Sequence, residues 1–88
     1  MTIFIVSYDL IKHKDYQKLT DAIETYSSCK VLESLWLIKS NLSVKEIRNH
    51  LNNHIDEDDR LIVFQALPVA AWTGNLSQSV DECLRANL

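Results

Sequence analysis

Thr2-Ile3-Phe4-Ile5-Val6-Ser7-Tyr8 is a run of β-branched and aromatic residues that is apolar on both alternating sets. In an extended chain Ile3 and Ile5 point to one face, and Phe4, Val6 and Tyr8 to the other. A strand apolar on both faces belongs in the middle of its sheet. The run predicts a strand near 2–8. It stops at Asp9, and Leu10 to Lys14 read as a loop.

Outward from that strand the apolar period changes. Tyr16, Leu19, Ile23 and Tyr26 recur at helical spacing with Ala22 between them, which predicts a helix near 15–27 capped by Asp15. Ser27 and Ser28 end it. Residues 29–39 are strand-like again, but Glu33 falls on the face of Leu35 and Leu37, and Ser34 on that of Trp36. The disturbed alternation predicts a break near Glu33-Ser34, as a tight turn between two strands or a bulge in one bent strand. Ser43-Val44-Lys45-Glu46 has the form of a capping box, and Val44, Ile47, Leu51 and Ile55 form the stripe of a helix near 43–54. Leu61 to Leu67 is a further apolar strand, near 60–67, stopped by Pro68. Residues 70–88 form a tail with Trp72, Gly74 and a short helix, opened by a second capping box at Ser79 to Glu82.

A βαββαβ order of this length favours one α+β domain over residues 1–88, a ferredoxin-like sandwich with both main helices on one face of an antiparallel sheet and an added C-terminal helix. Eighty-eight residues bury only about 60 to 65% of their unfolded surface, so a homodimer would help the core. The net charge of −3 argues against a broadly nucleic-acid-coating protein and leaves room only for a local basic patch. Cys29 and Cys83 lie far apart, form no CxxC pair and read as ordinary buried or half-buried thiols, with a disulfide or metal role as the alternative. The first apolar run has no basic flank and is too short for a signal peptide or a span. The expectation is a cytoplasmic protein without a membrane partner.

Among residues that carry chemistry, Asp9 comes first. A carboxylate just past a central strand could bind Mg²⁺ or Mn²⁺, which prefer oxygen ligands. One carboxylate per chain is a poor site, and two across a dimer axis make a better one. Ser7 shares the strand face of Asp9 and, with Ser34, is expected to position a phosphate. Lys12, His13 and Lys14 form a small basic cluster suited to the same phosphate. His50 and His54 are spaced for one helix face but lack a third ligand, and read as residues bordering the apolar stripe. Asp56 to Asp59 lacks the length and central glycine of an EF-hand loop and reads as a solvated turn. A single glycine excludes a glycine-rich phosphate loop.

The first strand running into Tyr8-Asp9, together with Lys30-Val31-Leu32-Glu33-Ser34-Leu35-Trp36, resembles the CRISPR-associated Cas-two family, the small dimeric subunit of the spacer-acquisition complex. The segments Leu32 to Ile38 and Asp58-Asp59-Arg60-Leu61, and the tail around Trp72 and Leu84 to Leu88, are more similar to the SinR-like small proteins of that superfamily. The resemblance implies a ferredoxin-like homodimer with Asp9 as metal ligand. It also implies either a metal-dependent nuclease acting on RNA or DNA, with Asp9 and Ser34 catalytic, or a non-catalytic scaffold that binds protein or nucleic acid. Leu32 and Glu33 replace the polar or basic residues usual before the serine, which favours the fold without the spacer-acquisition role.

Overall fold

Strand β1, Thr2–Asp9, lies inside a four-stranded antiparallel sheet of order β2-β3-β1-β4, in a computed structural model that describes residues 1–11 and 16–88. The other elements are α1 (Gln17–Ile23), β2 (Ser27–Leu32), β3 (Leu35–Ser40), α2 (Val44–Asn52), β4 (Arg60–Ala66) and α3 (Gln78–Asn87). This α+β arrangement is compatible with a ferredoxin-like plan.

The two-sided apolar pattern of β1 explains its central place. Phe4, Val6 and Tyr8 pack with Leu19, Ala22 and Ile23 of α1, Ile47 and Leu51 of α2, and Trp36 and Ile38 of β3. On the opposite face Ile3 meets Cys29, Leu37 and Leu84 of α3, with Val80, Trp72 and Leu76 around them. The sheet therefore lies between α1 and α2 on one side and α3 on the other. Each layer removes branched and aromatic side chains from water, at about 25 cal/mol per Å² of apolar surface.

Two open points of the sequence resolve at the second strand. The break at Glu33-Ser34 is a hairpin turn between β2 and β3, and a bulge also shifts the register between Lys30 and Leu32. Helix α1 ends at Ile23, four residues before the expected end at 27. The Thr25 hydroxyl donates to the Ala22 carbonyl at 2.6 Å, and Tyr26 turns in to pack on the core. The capping expected of Asp15 lies outside the described residues.

Helix α2 forms as its capping box predicts. The Ser43 hydroxyl accepts from the Glu46 N–H, and the Glu46 carboxylate accepts from the Ser43 N–H, both at 3.2 Å. The second box does not form at Ser79. Ser77 is the cap of α3, its hydroxyl accepting from the Val80 N–H at 3.3 Å. Ser77 keeps the extended backbone a cap needs, whereas Ser79 is already inside the helix.

The reading of two separate thiols is corrected. Cys29 faces the α3 side of β2 and is joined to Cys83 of α3 by a disulfide. Among the described residues no cysteine is free, and no helix is long and apolar enough to cross a membrane.

Candidate functional site at the end of the central strand

The last residues of β1 emerge where α3 and the tail no longer cover the sheet. Antiparallel pairing sets Ser7 between Leu35 of β3 and Ile62 of β4, and sets Asp9 opposite Arg60. Directly opposed residues share a sheet face, so Ser7, Asp9, Arg60 and Ile62 belong to one surface. Ser7, Tyr8, Asp9, Arg60, Leu61 and Ile62 line a shallow cavity of about 220 Å³. Both Asp9 and Arg60 are exposed.

Of the residues expected to act together, Ser7 and Asp9 do share this cavity. Ser34, far from them in sequence, lies close by in the β2–β3 turn, where its carbonyl accepts the Tyr8 N–H at 3.2 Å. It does not line the cavity. Lys12, His13 and Lys14 lie outside the described residues. Sequence reasoning missed Arg60 as a site residue. The signal available was its position at the start of an apolar strand, but only the β1–β4 register brings it to Asp9.

Asp59 holds the surroundings of this pair in place. Its carboxylate accepts from the Ile11 N–H and from the Asp56 N–H, each at 2.9 Å. The segment leaving β1 is thereby tied to the loop entering β4. Asp56, Asp58 and Asp59 bring ligand atoms within 4.8 Å of one another. Each Asp59 oxygen accepts one backbone N–H, so its carboxylate shapes the turn between α2 and β4.

Below the sheet Tyr8 anchors the same strand end. Trp36 Nε1 donates to the Tyr8 hydroxyl at 3.1 Å in the core. Burial pushes the Tyr8 phenol above its ordinary pKa, and the Trp36 bond partly opposes that shift. His50 and His54 stand with their rings 5.4 Å apart, edge to face, at the seam of α1 and α2. Tyr26 Oη lies 2.6 Å from His50 Nδ1. Among the described residues no third metal-ligating side chain joins them.

No family model matches the chain. Solved structures do share its fold. The crystal structure of a hypothetical protein from Thermus thermophilus superposes with a TM-score of 0.70 at 17% identity, covering 86% of this chain and 94% of that one. At this identity the likeness speaks for the fold alone.

Proposed function

We propose that this chain is a Cas-two-like, ferredoxin-like homodimer of the SinR-like kind, acting as a metal-dependent phosphodiesterase on RNA or DNA in the cytoplasm. The observation that carries the reading is the in-register pair of Asp9 and Arg60 beside Ser7 in one exposed cavity. A carboxylate can hold a hard cation, and a guanidinium can hold a phosphate through two parallel N–H donors. The resemblance of the Tyr8-Asp9 segment points the same way.

A single exposed carboxylate fits only part of a divalent-metal site, so Asp9 from each of two copies would hold Mg²⁺ or Mn²⁺, with water at the other positions. The metal would supply Lewis-acid polarisation of the scissile phosphate. Arg60 would bind a non-bridging oxygen of that phosphate, and the Ser7 hydroxyl would orient it by a hydrogen bond. Dimerisation is supported by the apolar residues left open on and after β4, where Ile62 is 49% exposed, Phe64 53%, Leu67 78% and Val69 83%. β4 is also an edge strand with one side unpaired.

The competing scaffold reading draws on a different observation. Exposed Glu33 stands in the turn next to the end of β1, and the chain carries a net charge of −3, both unfavourable to a polyanion.

Thermal melts with and without Mn²⁺ on the wild type and Asp9→Asn test the reading. Mn²⁺ should raise the wild-type midpoint by relieving repulsion between the two Asp9 carboxylates, and should leave Asp9→Asn unchanged. Equal shifts in both proteins remove Asp9 as a ligand. Wild type that cleaves neither RNA nor DNA with Mn²⁺ leaves the scaffold. A clean monomer by sedimentation at micromolar concentration removes the dimer.

A further inference from the structure

The two cysteines play no part in phosphodiester chemistry, yet they join distant parts of the chain. Cys29 in β2 is 4% exposed, and Cys83 on α3 is half-buried, 54 residues further on. Besides the disulfide, α3 is held by the Asp81 carboxylate, which accepts from Trp72 Nε1 at 2.8 Å, by Arg85 over the Trp72 ring 5.6 Å from its centroid, and by a short apolar stripe. Leu84 is its one buried residue, with Val80 and Leu88 half-buried on the same cluster. Gln78, Ser79, Glu82 and Arg85 face water, and residues 67–71 leading towards the helix are exposed. By contrast α1 contributes Leu19, Ala22 and Ile23 to the main core, and α2 contributes Ile47 and Leu51. Elements with little buried apolar surface open first, and α3 is that element here apart from its covalent tie.

We propose that the Cys29–Cys83 disulfide is a redox latch on α3, opened by a dithiol reductant. A thiolate of the reductant attacks the Sγ of Cys83, the more exposed of the two residues. A mixed disulfide forms and Cys29 leaves as a thiolate. The second thiol of the reductant then displaces Cys83 and closes the reductant's own disulfide. Two electrons pass to the protein, and both cysteines end as thiols after taking up protons. In the cytoplasm of the proposed function, on which this point rests, disulfides are characteristically transient and redox-sensing, which suits a pair placed on the least anchored helix.

Release has a definite consequence for the surface. Beneath α3 lie Ile3, Val31 and Leu37. Ile5 is opposite Phe64 on the same face, and Ile62 is the next residue of β4 on that face. With α3 lifted, the covered half of the face and the open half become one apolar surface across the sheet. The oxidised protein presents only the half on β4.

Hydrogen–deuterium exchange of the full oxidised chain, before and after excess dithiothreitol in native buffer, tests the latch. Amides of Gln78–Asn87 should exchange faster by an order of magnitude or more after reduction, while β1 and β3 change little. Binding of the dye ANS should rise with the same time course. Unchanged protection of α3 overturns the proposal. So does equal loosening of β1 and β3, which would make the bond a brace for the whole fold. A disulfide that resists dithiothreitol in the native protein also overturns it. The Cys29→Ser, Cys83→Ser double variant should exchange like the reduced wild type. Should that variant fail to fold, the reduced wild type still decides the matter. Loss of phosphodiesterase activity bears on Asp9 and Arg60 and leaves this test untouched.

Discussion

Trp36 and Tyr8 are hydrogen-bonded inside the core, indole N–H to phenol oxygen at 3.1 Å, across the neighbouring strands β3 and β1. Both side chains are buried. The bond gives the indole its acceptor and fixes the strand end that carries Asp9. Tyr8→Phe keeps the ring and strands the Trp36 N–H. The expected loss is about 1–3 kcal/mol of unfolding free energy, read from urea denaturation, with the slope against urea unchanged.

Leu51 is fully buried on α2 against the main core. Leu51→Ala should cost about 2–5 kcal/mol, because the cavity left behind adds to the lost transfer energy. A near-zero change in the same denaturation experiment would contradict the face assigned to α2.

Arg60 is the residue the proposed function adds to those read from sequence. If its guanidinium meets a phosphate, Arg60→Gln should weaken oligonucleotide binding evenly across sequences. The slope of log affinity against log salt should fall by about one. Fluorescence anisotropy of a labelled oligonucleotide over a salt series reads both quantities, and an unchanged slope would remove Arg60 from the site.

Asp81 offers a pH signature on α3. The hydrogen bond from Arg85 at 2.8 Å, and then the one from Trp72 Nε1 at 2.8 Å, hold its carboxyl below the ordinary aspartate range. A depressed folded-state pKa means the contribution is fully present above the unfolded value of about 3.9. It is lost as the pH falls through the lower folded value. The Trp72 indole N–H resonance should therefore be constant from neutral pH down to that range and move only in acid. Asp81→Asn should abolish the movement.

Much of this fold could be read from period alone. The central position of β1 followed from Ile3, Phe4, Ile5 and Val6, and the start of α2 from Ser43 and Glu46, since both are local patterns. The Glu33-Ser34 break was visible as a phase error. A turn and a bulge give the same error, and the protein uses both within a few residues. The length of α1 was overread because Tyr26 keeps helical phase while packing from the turn beyond the helix. Ile62 and Phe64 look like core in a sequence, yet they face the side that α3 leaves open. The pairing of Cys29 with Cys83, and of Asp9 with Arg60, depends on strand register and helix docking. Neither is encoded in the spacing of the residues themselves.

The position of β1 bears on how the chain is made. β1 is flanked by β3 and β4, both of which come later in the chain, so its second partner is complete only when Ala66 has been added. At about 5–20 residues per second, this apolar strand waits about 3–12 s for its last neighbour. It is then that a nascent chain is most exposed to chaperones and to other chains. Ribosome-bound chains stopped before Arg60 should remain protease-sensitive throughout, and those extended beyond Ala66 should gain a protected core at a single step.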